Sequence, residues 1–264
     1  MAADALSVRP TIDRSWLEAA AAVDPVAHAY ALYDLDRFPD RVRFVSALRG
    51  ERTVGYLLVW LGRSFPVVHW VGAETEAAGL LDLVPPRPLA AIVPEAVRAD
   101  VERARGPARA FPVEVLAARP GDTLSDRPPS DRARRLGPDD RPSLLSLVGS
   151  PPEPNVADYP ALDLGREVVW GAFDEGRLTG VARAAVTLPT VWVVSGVYVD
   201  PSRRGRGFGH ALMRAVTADA RDARATVALY VREDRPAARA IYERTGFRPY
   251  GHRVWLDAGA GVEP

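Results

Sequence analysis

The sequence predicts a mixed α/β (α+β) protein of two similar halves, each a mixed, mainly antiparallel sheet flanked by helices. Three observations predict it. Helix-period and strand-period segments run in the order α-α-β-β-β-α-β-α-β up to residue 118 and α-β-β-β-α-β-α-β from residue 138. A proline-rich, charged stretch with almost no large apolar residues, 119–135 (RPGDTLSDRPPSDRARR), separates the two runs. The chain has 264 residues, 47% of them apolar and 26% charged, which is enough core-forming material for one large domain or two small ones at roughly 150 residues each. No residue-by-residue repeat links the halves, so duplication rests on element order alone. The division expected is a first domain over 1–120, a linker over 121–135 and a second domain over 136–264.

Taken in order, residues 11–22 and 25–37 read as helices, with Asp24 as a cap before Pro25 in a tolerant first turn. Three β-branched and aromatic runs follow, 41–48, 53–61 and 65–72, parted by Gly50-Glu51 and Gly62-Arg63. A short helix (74–82), a strand (88–93), a helix opened by Pro94 (94–104) and a strand (109–118) complete the first half. The second half begins with a helix over 138–149 and a loop over 150–165 carrying Pro151, Pro152, Pro154 and Pro160. Strands at 166–173, 177–187 and 190–200 come next, joined by Asp174-Glu175-Gly176 and Leu188-Pro189. A helix (206–221), a strand (225–231), a helix (236–245) and a strand (247–257) close the chain.

Composition removes several function classes. Without cysteine there is no disulfide, thiolate nucleophile or Cys-ligated zinc, which fits a cytoplasmic protein. All 34 basic residues are arginine, so neither a P-loop lysine nor a lysine Schiff base is available. The formal net charge is zero, so no bulk field draws the chain to nucleic acid or to an anionic membrane. No apolar run approaches the ~20 residues of a membrane span, and the first ten residues show no secretory pattern. Four histidines without an H-x-x-x-H pair or a local carboxylate cluster give metal binding no support. His28 and His69 in the first half carry no motif.

The stretch with chemistry in it runs Val197-Tyr198-Val199-Asp200-Pro201-Ser202-Arg203-Arg204-Gly205-Arg206-Gly207-Phe208-Gly209-His210, from a buried strand through a glycine-rich turn into a helix. Gly205, Gly207 and Gly209 let backbone amides approach a ligand without Cβ clash. The helix start adds amides and the positive end of its dipole, and three arginines add charge, so the stretch reads as a phosphate or pyrophosphate site. The spacing does not fit a dinucleotide fingerprint, because His210 stands where the third glycine would fall. An arginine-glycine nucleic-acid segment would be longer and sit in a basic context. A second run, Leu229 to Phe247, leads from a strand into a helix that begins at Pro236 and ends at Gly246, with Ala238 and Tyr242 on one face.

Here the residues resemble the GNAT N-acyltransferase superfamily. Arg204-x-x-Gly207-x-Gly209 matches its R/Q-x-x-G-x-G/A acyl-CoA loop, and Ala238, Ile241, Tyr242, Gly246 and Phe247 match its later helix. The resemblance covers about 130–257, and RRGRGFGHALM with YERTGFRPYG has a flavour close to the glycine-N-acyltransferase-like subgroup, a weaker resemblance than that to the superfamily. The first half is similar in element order only. It reads Gly72-Ala73-Glu74-Thr75-Glu76-Ala77 after its third strand, without arginine or glycine loop, as in a degenerate copy that binds no cofactor; an unrelated α/β domain is the other reading. The architecture implied is a tandem, GNAT-like one.

The resemblance implies an N-acetyltransferase that moves an acetyl or other acyl group from a CoA thioester, acetyl-CoA, to a primary amine on a small molecule or peptide by direct attack. In such an enzyme the backbone of Val197, Tyr198 and Val199 pairs with the pantetheine arm, and the Val197 amide faces the thioester oxyanion. Arg204, Gly205, Arg206, Gly207, Phe208, Gly209 and His210 wrap the pyrophosphate, and Tyr242 protonates the departing thiolate as general acid. Arg235 stands where the family has asparagine and either reaches a CoA phosphate or points into water. No general base is identified. Ser195 is the polar residue near the expected bulge in the third strand, Glu167, Asp174 and Glu233 are the carboxylates considered, and His210 and His252 are the histidines. Trp170, Trp192 and Tyr159 are candidates to line the acceptor site. No metal, nucleic acid or membrane enters this reading, and the chain is expected as a monomer or homodimer. The alternative from another class is a non-catalytic acyl-CoA-binding or sensor module, which the missing strand glutamate and Arg235 favour.

Overall fold

The computed structural model of the chain describes residues 6–63, 65–72, 78–84, 88–122, 131–149, 152 and 156–261. It divides into two compact units, Met1–Val113 with His252–Pro264, and Glu114–Gly251. Both division points fall inside strands rather than in the proline-rich stretch.

In the first unit, strands β1 (Leu6–Arg9), β2 (Val42–Arg49), β3 (Arg52–Trp60), β4 (Val67–Gly72) and β5 (Leu89–Val93) lie side by side in that order, followed by the last strand of the chain, β12 (Arg248–Ala258). All neighbours here are antiparallel except β4 and β5, which run parallel from Val67↔Ala90 to His69↔Ile92. The period-2 pattern divides the core between the two faces. Val45, Leu57 and Trp70 pack with α4 (Arg98–Arg105) on one side, and Phe44, Tyr56 and Leu58 pack with α1 (Arg14–Val23) and α2 (Ala29–Arg37) on the other. Asp13 caps α1 by accepting from the Trp16 amide at 3.2 Å.

Three elements differ from expectation. The Asp24 carboxylate accepts from the Ala27 amide at 2.9 Å, making a separate turn over 25–28, so α2 begins at Ala29 and not at 25. The helix expected over 94–104 splits into a 3₁₀ turn at Glu95–Val97 and α4. Strand β1, not among the expected elements, alternates apolar and polar residues over only four positions, all exposed, and is held by its ladder to β2. Of the helix expected over 74–82, α3 (Ala78–Leu81) is seen; residues 73–77, and with them the reading of that loop, lie outside the described residues.

In the second unit, the end of β6 (Arg109–Ala118) borders a sheet that continues with β11 (Thr226–Arg232), β10 (Val191–Val199), β9 (Arg177–Thr187), β8 (Val169–Asp174) and β7 (Ala133–Arg135). The pairs β7–β8, β8–β9 and β9–β10 are antiparallel, and β10–β11 is parallel. Strand β7 falls inside the expected linker: its backbone pairs with Trp170, Gly171 and Ala172, which needs no apolar side chain. One face carries Trp170, Ala182, Trp192 and Val194 under α6 (Phe208–Asp222). The other carries Val169, Val181 and Tyr198 under α5 (Arg141–Val148) and a 3₁₀ turn at Tyr159–Ala161. Helix α7 (Pro236–Arg244) completes the unit. Among the described residues no helix is long and apolar enough to cross a membrane.

Candidate active site

Strand β10 positions the site by departing from regular pairing twice. Its parallel ladder with β11 runs from Val191↔Thr226 to Val194↔Leu229 and ends there, although both strands run on, to Val199 and Arg232. Its antiparallel ladder with β9 goes from Ser195↔Arg183 to Tyr198↔Val181, so three steps on β10 oppose two on β9. That is a β-bulge of one extra residue, which bends the strand and re-aims its backbone. Gly196 lies in it at φ +61°, a conformation for which a side chain would be strained. The β10–β11 ladder ends just before this bulge, so beyond Val194 the two strands are no longer paired.

Two side chains hold the bulge from outside. Tyr159 is fully buried, and its hydroxyl donates to the Gly196 carbonyl at 2.8 Å. Burial pushes that phenol far above its ordinary value, so it remains a donor. Arg183 donates through Nε to Ser195 Oγ at 3.2 Å and lies 3.6 Å from the half-exposed carboxylate of Asp158. The three form a chain, Asp158–Arg183–Ser195, leading from the 3₁₀ turn region to the bulge.

The loop after β10 is built from backbone. Asp200 caps a 3₁₀ turn (Pro201–Arg203), accepting from the Ser202 amide at 2.9 Å and its hydroxyl at 2.7 Å. Arg204 donates through Nε to the Val199 carbonyl at 3.1 Å. Gly205 and Gly207 follow at φ +76° and +88°, and an added Cβ at either would meet nothing within 4 Å. The constraint on them is therefore conformational, not steric. Gly207 caps α6, whose first carbonyl-to-amide rung is Ala211 to Gly207 at 3.0 Å, so the amides of the first turn have no helical carbonyl to meet. Gly209 has a different reason: a Cβ there would come within 3.1 Å of Ile241 Cδ1 on α7. The two helices approach there, and the nearest atom to an added Cβ is that side-chain end, which can give way by a few tenths of an ångström.

That approach sets Tyr242. Its side chain packs in the core beneath α6, with its ring 5.9 Å from that of Phe247. The residue is 7% exposed, and its hydroxyl has no hydrogen-bond partner among the described residues. Burial pushes the phenol up to about 12, so it holds its proton at neutral pH. The arrangement is an amide-lined helix start able to hold an anion, two strand ends no longer paired with each other beside it, and a neutral phenol on the adjoining helix.

Other expected contributors take other roles. Arg203 and Arg206 both pair with Asp174, Arg206 at 3.0 Å, so two of the loop's three arginines already face a carboxylate that is 9% exposed. Asp174 is thereby committed to the loop. Arg235 heads α7, 62% exposed, 3.8 Å from Asp234. Trp170 and Trp192 do not line an acceptor site: they are buried under α6, 6.0 Å apart, with Trp170 donating to Asp219 at 2.8 Å. Phe208 is buried, leaving only its backbone for the loop. Glu233 and His252 are exposed, Glu167 and His210 half-buried. His28 and His69 belong to the first unit, where His28 meets the Tyr56 hydroxyl at 2.9 Å and burial pushes His69 down to about 4. The Asp158–Arg183 pair was missed from sequence; Arg183 stands two residues from the buried Val181 on β9.

Residues 139–247 match the family model described as the acetyltransferase (GNAT) family. The chain is similar to the N-alpha-acetyltransferase RimI of Mycobacterium tuberculosis (strain ATCC 25618 / H37Rv), 36% identical over 110 residues that cover 40% of this chain and 68% of that protein. Among solved structures, the tandem GNAT protein from the clavulanic acid biosynthesis pathway matches 97% of this chain and 100% of its own at a TM-score of 0.58 and 18% identity. A GCN5-related N-acetyltransferase from Kribbella flavida matches 89% of this chain and 96% of its own at 0.61 and 18%. These two likenesses concern the fold, and the tandem one agrees with the mixed α/β architecture of two sheet-and-helix units.

Proposed function

Because this chain belongs to the acetyltransferase (GNAT) family, we propose that it transfers an acetyl group from acetyl-CoA to the α-amine of a polypeptide. The observation that carries the reading is the end of the β10–β11 ladder beside a glycine bulge, followed directly by the glycine loop that starts α6. The similarity to an N-alpha-acetyltransferase favours a polypeptide terminus over a small amine. The first unit, in this reading, is a copy that binds no cofactor.

The backbone of Val197, Tyr198 and Val199 pairs with the pantetheine arm beyond the end of the β10–β11 ladder. The amides from Arg204 to His210 receive the pyrophosphate; Arg204 itself stays tied to Val199, and Arg235 stays in solvent beside Asp234. The acceptor arrives as an ammonium on the side of Asp158, which takes its proton directly or through water. The neutral amine attacks the thioester carbonyl carbon, and the Val197 amide donates to the oxygen as it becomes negative. The C–N bond forms, the C–S bond breaks, and Tyr242 gives its proton to the sulfur; the second amine proton leaves to water and the phenol is reprotonated.

The test is incubation with acetyl-CoA and peptides of varied N-terminal residue, following thiol release and the acetylated terminus by mass spectrometry. Thiol release coupled to terminal acetylation supports the reading. Tight acetyl-CoA binding by calorimetry, with no release on any peptide or small amine, would establish the sensor module instead; the absence of a glutamate on β10 is the feature behind that second reading.

A further inference from the structure

We propose that Arg183 is a specificity-determining residue of the acceptor site. It selects amines that carry a carbonyl on the neighbouring carbon: the α-amino acyl group of a peptide terminus or of a free amino acid. The inference rests on the transfer reading above, which brings the acceptor in on the side of Asp158.

Two strands and a turn bring the guanidinium there. On β9, Ala182 and Ala184 face α6, so Arg183 faces the other way with Val181, toward α5 and the 3₁₀ turn. On β10, Val194 faces α6, and Ser195, paired directly with Arg183, faces with it. Ser195 is the first residue past the end of the β11 ladder and the last before Gly196. Arg183 Nε donates to Ser195 Oγ at 3.2 Å, so the head group is anchored beside the place where that ladder has ended. Its charge reaches the phenol of Tyr159, which holds the Gly196 carbonyl.

The anchor leaves the far edge of the guanidinium. The side chain is 21% exposed, yet neither terminal nitrogen makes a hydrogen bond among the described residues: Asp158 Oδ2 stands 3.6 Å from Nη2, an ion-pair distance too long for one. Asp158 has other contacts as well, so the open donors are Arg183's. Leaving charged donors unmet in a largely buried position is costly, and a group that accepts from them is favoured. A planar fork held at one end suits a carbonyl or carboxylate oxygen. Beside it lies a carboxylate that suits an ammonium. An amine and a carbonyl on one carbon present the same two charges in the opposite order, nitrogen toward Asp158 and oxygen toward Arg183. The ε-amine of lysine or a plain alkylamine brings the first group without the second, and leaves the guanidinium unmet.

The test compares L-alaninamide with ethylamine, its analogue without the carbonyl, as acceptors in the thiol-release assay. The readout is the ratio of their kcat/KM values, or of their inhibition constants against a peptide acceptor where ethylamine gives no turnover. Loss of the Ser195 anchor, and the amines' own basicities, act alike on wild type and variant comparisons and cancel in the change of that ratio. One hydrogen bond to a charged group is worth about 10- to 100-fold, so the preference for alaninamide should fall by that factor in Arg183→Met. Arg183→Lys keeps a charge but not the fork, guards against a variant that fails to fold, and should lose at least about threefold of the preference. L-alanine and an alanine-initiated peptide separate the two sources: the better acceptor of the pair shows whether the carbonyl belongs to an amino acid or to a polypeptide terminus. An unchanged ratio in the folded variants overturns the proposal. If the wild type acetylates no amine, the transfer reading fails by itself, and Arg183 is then decided by NMR. Titrating L-alaninamide into the protein with CoA should shift the Arg183 Nε–H resonance where ethylamine does not, and an unmoved resonance overturns it.

Discussion

Gly207→Ala separates conformation from contact at the loop. Gly207 sits at φ +88° and ψ 2°, in the left-handed region, and nothing lies within 4 Å of an added Cβ. No clash is created, so the whole effect comes from the backbone. Holding an L-residue in that region costs about 1–2 kcal/mol, and the smaller entropy of the unfolded alanine chain returns up to about 1 kcal/mol. The net is a loss of about 1 kcal/mol in stability, or roughly 2–4 °C in Tm. The strain can also relax by rotating the loop, which turns the first amides of α6 out of alignment. Each hydrogen bond to a charged group is worth about 1.5–3 kcal/mol, so losing one weakens acetyl-CoA by about 10- to 100-fold. Gly209→Ala is the control. It has an ordinary helical φ, and its Cβ would meet only the terminal methyl of Ile241 at 3.1 Å. Alanine also favours the helix there by up to about 1 kcal/mol. Stability by urea titration and affinity by calorimetry should therefore fall for Gly207→Ala and stay near wild type for Gly209→Ala. Equal behaviour of the two variants would refute the conformational account.

Tyr242→Phe should lower kcat by about 10²–10³-fold in the thiol-release assay with calorimetric Kd for acetyl-CoA unchanged; undiminished turnover removes the acid role. The same phenol predicts an alkaline limit. Its value is raised from 10.0 unfolded to about 12 folded, so its stabilisation is complete below pH 10 and is lost as pH rises through 12. The share is about 2–3 kcal/mol, and denaturant titrations at pH 9 and 11 should show the drop shrinking in Tyr242→Phe. Asp34 works in the opposite pH range. It is 8% exposed on α2, accepts no side-chain hydrogen bond among the described residues, and burial pushes it from 3.8 to about 7. Being raised, it stabilises fully below pH 3.8 and loses that contribution as pH climbs through 7. Asp34→Asn should thus be more stable than wild type at pH 8, by up to about 4 kcal/mol, and equal to it near pH 4 in the same titrations.

What could be read from sequence was local. The strand, loop and helix from Val191 to Asp222 lie within one turn or two of each other along the chain, and their glycines advertise backbone demands without any tertiary information. Tyr242 was readable because Ala238, Ile241 and Tyr242 share a helix face. What escaped was set by partners far along the chain. Tyr159 is 37 residues from Gly196, and Arg183 is 12 from Ser195; no window of sequence contains either hydrogen bond. The tryptophans were misplaced for the same reason: Trp170 and Trp192 alternate correctly, but only the pairing order says that their face lies under α6. Strands β1 and β7 were missed because edge pairing uses backbone groups: β7 carries no apolar alternation, and that of β1 spans only four exposed residues.

The loop arginines show how far composition can mislead about charge. Three arginines beside three glycines suggest a site that attracts phosphate by net positive charge. In the structure one carboxylate offsets one of those three charges, and all three guanidiniums already have partners. Asp174 takes Arg203 and Arg206, and the carbonyl of Val199 takes Arg204, so each guanidinium is engaged in holding the loop's shape. Asp174 sits at the end of β8, paired with Arg177 across the turn into β9, and thus ties the loop to the β8–β9 hairpin. Besides that charge the loop offers oriented dipole: the first-turn amides of α6 and the backbone at two glycines in left-handed conformations. Such donors are short-ranged and directional, and they need no reorganisation when the ligand arrives. A loop of mobile arginines would bind many anions anywhere along its length. A loop whose arginines are already occupied has fewer ways to meet a diphosphate, and in the transfer reading the length of the pantetheine arm then sets where the sulfur would lie along β10. In that reading the arginines serve by being tied down, and the thioester's position would depend on Asp174, which holds the loop, and on the Gly196 bulge.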